Sequence, residues 1–357
     1  MRSNKQIMQK NIKIQARNIG VNEPVFVIAE AGVNHNGSVV LAKKLIDAAA
    51  SAGADAVKFQ TFIAEEVVSI NAPKAEYQKL TTDVSESQFD MIKKLELSQE
   101  DHQILIEYAG HKNITFISTP FDERSVDILL DIGVPLIKIG SGEITNHPFL
   151  KYIAKKSIPI ILSTGMSTLE EVAEAVIILK EAGCKDLILL HCTSNYPAKV
   201  EDCNLRAMKT MADSFNLLVG YSDHTPGIFV SIAAVAVGAC VIEKHFTLDK
   251  NLSGPDHKAS LEPNELKEMV YGIRVVEKAL GSAIKAPVQS ELEVRDVARR
   301  SIVAKVNIPE GAVITEDMLA FKRPGVGIAP KHENLIVGKI AKQNIHKDEI
   351  IKYENIK

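Results

Sequence analysis

Short runs of β-branched and other apolar residues alternate with helix-length amphipathic segments from Pro24 onwards. This alternation is typical of parallel strands joined by helical crossovers, because parallel sheets are buried on both faces. Eight such runs occur in the sequence, and eight strands with eight crossovers close a (β/α)₈ barrel, usually within about 250 residues. The predicted strands are 25–29, 56–59, 114–117, 136–139, 159–162, 187–190, 217–220 and 240–242.

The barrel pattern covers only part of the 357 residues. A polar extension precedes it, and one alternating segment there, 12–16, predicts a hairpin strand that plugs one end of the barrel. The long insertion at 63–112 predicts a loop over the barrel mouth followed by two helices. The predicted division is an N-terminal extension at 1–24, the barrel at 25–282, a linker at 283–300 and a small β-rich domain at 301–357.

Charge and composition restrict the kind of partner. The net charge of −3 and the sequence pI near 6.4 give no general attraction to nucleic acid or anionic lipid. We therefore expect small-molecule partners, with no nucleic acid and no membrane. No apolar run approaches the ~20 residues of a membrane span, and the first residues lack the apolar core of a signal peptide. The sequence thus predicts a cytoplasmic protein.

Polar residues follow most of the predicted strands, and in a barrel the carboxyl ends of the strands form the active-site face. Lys58, Lys138 and Lys244 would repel one another there unless an anion lay between them. Together with nearby hydroxyl groups, the lysines suit a ligand that carries both a carboxylate and a phosphate. The candidates are Glu30, Lys58, Gln60, Thr119, Lys138, Ser141, Glu143, Ser163, His191, Ser194, Asn195, Tyr196, Ser222, His224, Lys244 and His245.

His224 and His245 follow the last two predicted strands, whose carboxyl ends lie side by side in a parallel sheet. Two histidines within reach of one ion, completed by oxygen ligands, predict a site for Mn²⁺, Fe²⁺, Zn²⁺ or Co²⁺ rather than Ca²⁺. Glu30 and Glu143 are candidates for acid–base catalysis, because a carboxylate near lysines stays ionised and can accept a substrate proton.

Several motifs at these positions resemble those of the sialic acid synthases, which condense phosphoenolpyruvate with an N-acylated mannosamine-type sugar. The resemblance runs from about Val25 to the C-terminus. The motifs are IAEAGVNHNG at 28–37, KFQTF at 58–62, STPFD at 118–122, KIGSGE at 138–143, STGMS at 163–167, SDHT at 222–225, EKHFT at 243–247, GPDHKASLEP at 254–263 and KRPGVGI at 322–328.

The resemblance implies a (β/α)₈ barrel joined to a small antifreeze-like domain, in a domain-swapped homodimer. It implies that His224 and His245 hold a divalent metal, with Mn²⁺ expected and Mg²⁺ or Co²⁺ as alternatives. Glu143 is the implied acid–base residue. Arg323 is implied to reach the barrel of the other subunit.

The resemblance also implies which residues contact the substrates. Glu30 and Lys58 are predicted to be catalytic residues in addition to Glu143. Lys244 is taken as a further substrate contact, and either Ser194 or Asn195 is expected to hold phosphate. The implied phosphoenolpyruvate cradle is Lys58, Thr119, Lys138, Ser141, Ser163 and Ser222. The implied sugar contacts are Glu30, Gln60, Tyr196, Asp256 and Arg323.

The function predicted first is condensation of phosphoenolpyruvate with N-acetylmannosamine and water to give N-acetylneuraminate and phosphate, by C–O cleavage. The nearest alternative keeps the reaction and changes the sugar to 2,4-diacetamido-2,4,6-trideoxymannose or its altrose analogue, the legionaminate and pseudaminate precursors. A second alternative is a Schiff-base pyruvate aldolase with Lys58, Lys138 or Lys244 as nucleophile. A third makes the C-terminal domain a binding module for ice or polysaccharide.

Overall fold

The computed structural model describes residues 11–69, 72 and 87–357. Within these ranges eight parallel strands pair in chain order, and the last pairs with the first to close a barrel. The predicted (β/α)₈ fold is therefore confirmed. The barrel strands are Phe26–Gly32, Ala56–Thr61, Thr115–Pro120, Ile137–Ile139, Ile160–Ser163, Leu187–Cys192, Leu218–Asp223 and Val241–His245.

All of these strands except Ile137–Ile139 continue past their predicted ends. The last one was predicted at 240–242, but the structure extends it to His245 and buries it along its whole length. Glu243 and Lys244 pair with the neighbouring strand, so the hydrogen-bond ladder continues through residues that the sequence suggested lay beyond it. The polar clusters therefore stand inside the barrel mouth and not in the loops above it.

Side chains of the barrel strands alternate between the interior and the layer of helices, as the pleat requires. In the last strand, Val241 belongs to the apolar cluster of the interior and Ile242 to the cluster beneath the helices. Continuing the alternation places Glu243 and His245 in the interior and Lys244 on the outer side. The register therefore decides which polar side chains can reach a common site.

The crossovers between strands are helical, and two further helices, Gln88–Leu95 and Gln99–His111, lie in the predicted insertion. Most of the loop predicted before them falls outside the described residues. No helix in the described ranges is long and apolar enough to cross a bilayer. The helices that precede residue 282 are Val39–Ala52, Ala64–Val67, Gln88–Leu95, Gln99–His111, Glu123–Asp131, His147–Ala154, Leu169–Glu181, Ala207–Phe215, Phe229–Ala236 and Pro263–Leu280.

The strands Ile12–Ile14 and Arg17–Ile19 form an antiparallel hairpin. Ile12, Ile14 and Ile19 are buried in the same apolar cluster as inward-facing barrel residues, among them Phe26. This cluster fills the end of the barrel opposite the polar mouth. The first ten residues of the predicted extension, 1–10, lie outside the described part of the chain.

Residues 282–357 form a second compact unit. The stretch predicted as a linker contains a helix, Gln289–Ala298. The rest of the unit contains the antiparallel strands Ser301–Ala304 and Leu319–Lys322. Isolated bridges and short 3₁₀ turns complete it around a core of buried aliphatic side chains.

Candidate active site

Four charged side chains, Glu30, Lys58, Lys138 and Glu243, form what we call the charge ring inside the barrel mouth. The Lys58 Nζ lies 2.7 Å from Glu30 Oε2 and 3.8 Å from Glu243 Oε2. The Lys138 Nζ lies 3.7 Å from Glu243 Oε1. Each side chain comes from a different strand and is almost completely buried. Two basic and two acidic side chains are therefore brought together in one buried place.

Burial and mutual attraction shift the pKa values in the charge ring in opposite directions. Desolvation raises the pKa of Glu30 to about 7, and the charges of the neighbouring lysines only partly offset it. Burial also acts to raise the pKa of Glu243, but Lys138 and Lys58 together outweigh it and lower this pKa to about 2. Burial lowers the pKa of Lys138. Glu243 is therefore the fixed negative charge of the ring.

Hydroxyl groups from neighbouring strands surround the charge ring. The Lys58 Nζ donates to Thr119 Oγ1 at 2.9 Å, and the Lys138 Nζ donates to Ser163 Oγ at 2.7 Å. Ser222 Oγ donates to Glu243 Oε1 at 2.8 Å. These groups are ordered before any ligand arrives. Ammonium and hydroxyl groups together are good donors to the oxygens of a carboxylate or a phosphate.

Three more side chains lie close to the backbone of Gly165 on the same wall. The Gly165 N–H donates to Ser141 Oγ at 2.9 Å, and Ser141 Oγ lies 3.2 Å from Cys192 Sγ. A β-carbon at Gly165 would collide with the Ser194 hydroxyl and press on Cys192 and Ser141. Only glycine therefore allows these groups to converge. Asn195 also lines the cavity, and its Oδ1 accepts from the Tyr196 N–H at 3.1 Å.

His224 and His245 face one another at the rim of the charge ring, with 5.6 Å between ring centroids. His224 Nδ1 is hydrogen-bonded to the Thr193 carbonyl at 2.8 Å, which leaves Nε2 directed to the cavity side, 3.4 Å from Ser222 Oγ. His245 Nδ1 is buried without a hydrogen-bond partner, and Asp256 Oδ2 is 3.9 Å away. Burial lowers the pKa of both imidazoles, which favours their neutral form.

This arrangement fits a metal that has two protein ligands. A neutral imidazole is the form that binds a metal, and a buried ring nitrogen without a partner is a vacant ligand position. The described residues contain no group of three or more His, Cys, Asp or Glu side chains placed to hold an ion. Oxygen atoms from water or substrate would therefore have to complete the coordination of any metal held by His224 and His245.

The structure brings most of the predicted residues to one cavity of about 320 Å³. Five of them, Glu143, His191, Lys244, Asp256 and Arg323, are not on its wall, although Asp256 is close to His245. The predicted residues that line the cavity are Glu30, Lys58, Gln60, Thr119, Lys138, Ser141, Ser163, Ser194, Asn195, Tyr196, Ser222, His224 and His245.

Glu143 and Arg323 lie elsewhere. Glu143 ends the 3₁₀ turn Ser141–Glu143, and its Oε2 accepts from Asn146 Nδ2 at 2.7 Å. Its role in acid–base chemistry stays a prediction. Arg323 directly follows the strand Leu319–Lys322 of the second unit and is exposed there.

Glu243 was not among the predicted site residues, and the position of His191 was predicted wrongly. Glu243 lines the cavity together with Cys192, whereas His191 does not. His191 Nε2 instead bonds the Cys203 carbonyl at 2.7 Å, on the outer side of the barrel. The signal for Glu243 was its spacing of two residues from His245, because residues i and i+2 of a strand share a face.

Lys244 was predicted to contact substrate, and the structure contradicts this. Its side chain is fully buried outside the barrel interior, with Nζ 3.0 Å from Asp223 Oδ2 and a hydrogen bond to the Thr225 carbonyl. The reason is the strand period, since Lys244 stands between two inward-facing residues. Lys244 therefore fastens two neighbouring strands together.

Replacing Lys244 with methionine is expected to lower the free energy of unfolding by about 3–5 kcal/mol, because Asp223 is left as a buried, unpaired carboxylate. Guanidinium denaturation measures this loss. Lys250→Met is the matched control: its pair with Glu265 is part-exposed and should be worth at most about 1 kcal/mol. An equal loss of unfolding free energy in the two variants would show that the ion pair of Lys244 with Asp223 does not stabilise the fold more than a part-exposed pair does.

Comparison with known proteins places this site in a family. The NeuB family model matches residues 45–285, and the SAF domain model matches residues 299–357. The chain belongs to the NeuB family. This membership confirms the predicted resemblance, the small C-terminal domain and the enzyme class, a phosphoenolpyruvate-dependent nonulosonate synthase.

Members of the NeuB family from different organisms align along nearly the whole chain. An N,N'-diacetyllegionaminic acid synthase of Campylobacter jejuni is 54% identical and covers 91% of this chain and 98% of its own length. One of Legionella pneumophila is 51% identical, covering 94% and 96%. The human N-acetylneuraminate-9-phosphate synthase is 38% identical, covering 94% of each.

Solved structures agree with the sequence comparison. The N-acetylneuraminic acid synthetase of Leptospira borgpetersenii superposes with a TM-score of 0.72 at 38% identity, covering 80% of this chain and 95% of that one. The spore coat polysaccharide biosynthesis protein SpsE of Bacillus subtilis gives a TM-score of 0.66 at 37% identity, covering 98% and 99%.

Proposed function

We propose that this member of the NeuB family condenses phosphoenolpyruvate with 2,4-diacetamido-2,4,6-trideoxymannose and water, giving N,N'-diacetyllegionaminate and phosphate. The comparisons support this sugar, since the relatives named for it are 54% and 51% identical, against 38% for the human neuraminate-9-phosphate synthase and 36% for a pseudaminic acid synthase. They favour the alternative sugar over N-acetylmannosamine, the first prediction. The observation that carries the reaction is the charge ring beside two buried histidines whose ring centroids are 5.6 Å apart.

The charge ring is suited to phosphoenolpyruvate because it offers two ammonium groups and several hydroxyls within one buried space. Lys58 and Lys138 donate to the anionic oxygens, and the hydroxyls of Thr119, Ser163 and Ser222 add neutral donors. Hydrogen bonds in such a dry site are stronger than in water. The phosphate and carboxylate are therefore held by groups that need little reorganisation.

The histidine pair is the proposed metal site, with Mn²⁺ as the expected ion. A divalent metal there would polarise the aldehyde oxygen of the open-chain sugar. The chain's own part is to hold two buried imidazoles, with ring centroids 5.6 Å apart, beside the charge ring. A sugar aldehyde bound at these histidines would lie next to phosphoenolpyruvate bound in the charge ring.

The proposed chemistry forms one carbon–carbon bond and breaks one carbon–oxygen bond. The methylene carbon of phosphoenolpyruvate bonds to the aldehyde carbon, and the aldehyde oxygen takes up a proton. Water adds to the enol carbon, which bears positive charge after the attack, and phosphate leaves with its bridging oxygen. Glu30 lies within the charge ring, and Glu143 ends the 3₁₀ turn that begins at the cavity residue Ser141. These two carboxyl groups are the proposed carriers of the protons.

Phosphate release measured with Mn²⁺ tests this function. The diacetamido sugar and N-acetylmannosamine are supplied in parallel, with a chelated control, and the bridging oxygen of phosphoenolpyruvate carries an ¹⁸O label. We expect metal-dependent release, faster with the diacetamido sugar, and the label in phosphate. No release with either sugar would contradict the proposal; borohydride trapping of a pyruvate adduct would then indicate the aldolase.

We also propose that the protein is cytoplasmic and forms a homodimer in which Arg323 completes the partner's sugar site. The family resemblance supports the dimer. The composition supports the location, since the net charge of −3 and the scattered basic residues suit a small-molecule enzyme.

A further inference from the structure

A second cavity, of about 380 Å³, adjoins the one that contains the charge ring. Gln60, Phe121, Tyr196 and His245 line both, so the two cavities meet at the histidine that faces the proposed metal position. We call the second one the apolar cavity, because most of its wall is aliphatic or aromatic. The side chains that define it are Phe62, Val67, Val68, Met91, Ile92 and Leu95.

The apolar cavity is built by the insertion after the second barrel strand. Gln88, Met91, Ile92 and Leu95 stand at i, i+3, i+4 and i+7 of the helix Gln88–Leu95, which places them on one face. Met91 is only 4% exposed. Gln88, Ile92 and Leu95 are half-buried, so the wall is one largely covered face of a regular helix.

Polar contacts hold this helix against the segment Ala64–Val67. The Ala64 N–H donates to Glu96 Oε2 at 3.0 Å, and the Lys93 Nζ donates to Glu65 at 3.1 Å. Val67, the last residue of that segment, and Val68 after it form the adjoining wall of the cavity. Two separate stretches of the insertion are thus fixed together around the same space.

The chemistry of the wall distinguishes between amino sugars. No lysine or arginine is present among its described residues, and Gln88 and Asp256 are the polar side chains found there in addition to the shared Gln60, Tyr196 and His245. A sugar phosphate group would find no cation among these described side chains. A hydroxyl buried against such a wall loses its hydration without a partner, whereas the burial of a methyl group there is favourable.

We propose that the apolar cavity binds the methyl-bearing end of the sugar, so that Met91, Ile92 and Leu95 select a 6-deoxy, 4-acylamino sugar over one with free hydroxyls. The inference depends on the proposed function, because His245 marks the aldehyde end of the sugar only if the reaction is the one given above. From that point the sugar chain continues into the apolar cavity. Its C6 methyl and 4-acetamido methyl then meet the aliphatic wall.

Two polar replacements test the proposal: Met91→Gln, which keeps the side chain's length, and Ile92→Thr, which is one heavy atom smaller. The measurement is kcat/KM for the diacetamido sugar and for N-acetylmannosamine, with KM for phosphoenolpyruvate measured separately. We expect the preference for the diacetamido sugar to fall about 10-fold, mainly through its KM, with KM for phosphoenolpyruvate unchanged. Asp90→Asn, on the exposed side of the same helix, is the matched control and should keep the preference.

The outcomes separate the two proposals. If wild-type protein fails to turn over the diacetamido sugar, the proposed function fails, and the subsite with it. If wild-type protein prefers that sugar and both variants keep the preference, only the subsite is overturned. Met91 is buried, so thermal melting accompanies the kinetics. If Met91→Gln does not fold, the less buried Ile92→Thr decides.

Discussion

Replacing Lys58 with methionine is expected to abolish turnover and to destabilise the barrel at neutral pH. Lys58 is the group of the charge ring that contacts both carboxylates and a hydroxyl. Its loss removes a donor to phosphoenolpyruvate and leaves Glu30 buried without a cation. We expect kcat/KM for phosphoenolpyruvate to fall by on the order of 10³-fold, as measured by phosphate release.

The stability loss of Lys58→Met should depend on pH. In the native protein the pKa of Glu30 is already about 7, against 4.5 for a free glutamate, and removal of Lys58 raises it further. The folded state then binds a proton more tightly than the unfolded state. Stability is therefore kept below about pH 4.5 and lost as the pH rises through 7 and above. Guanidinium denaturation at pH 5 and pH 8 measures the difference.

A double variant separates charge balance from substrate binding. Lys58→Met with Glu30→Gln restores a ring without an uncompensated carboxylate, so the free energy of unfolding at pH 8 should recover most of the about 3 kcal/mol lost. Turnover should stay absent, because the ammonium group is still missing. Recovered turnover in the double variant would show that Lys58 acts only as the counter-ion of Glu30.

Replacing His245 with alanine is the second change with a large expected effect. It removes one of two proposed ligands, and no third side chain is placed to take over among the described residues. We expect the affinity for Mn²⁺, measured by calorimetry or by the electron paramagnetic resonance of bound Mn²⁺, to fall at least 100-fold. Turnover should fall to the level of the chelated wild-type protein.

His191→Gln is the matched control for His245→Ala. His191 also follows a strand end, but it bonds the Cys203 carbonyl outside the barrel interior, and glutamine can donate the same hydrogen bond. Metal affinity and turnover should both be retained. Full activity of chelated wild-type protein would argue against a metal role for the histidine pair altogether.

The sequence predicted the barrel well and the exact extent of its strands poorly. Strand number and order follow from the alternation of apolar runs with helical segments, which is a strong local signal. Strand ends were judged from the appearance of polar residues such as Glu243. In a barrel mouth these residues are buried by partners from other strands, and a single strand's sequence does not contain those partners.

Lys244 was wrongly predicted to contact substrate, and Glu243 was not predicted as a site residue, for a related reason. Both residues stand at a strand end, and only the register shows that one faces the helices and the other the interior. The helix Gln289–Ala298 was missed because it has no buried residues, so it carries no apolar stripe to reveal it. The apolar cavity joins segments far apart in the chain and had no local signature.

The hairpin Ile12–Ile14 and Arg17–Ile19 limits how substrates can enter the barrel and how products can leave it. Together with the apolar cluster above it, the hairpin makes the described barrel a tube with one blind end. The cavity with the charge ring is lined by both histidines, and a blind barrel leaves its mouth as the route in and out. If phosphoenolpyruvate binds in the charge ring as proposed, it would enter before the sugar, and phosphate would leave after the larger product. Depth along the barrel axis would then set the order of binding and release.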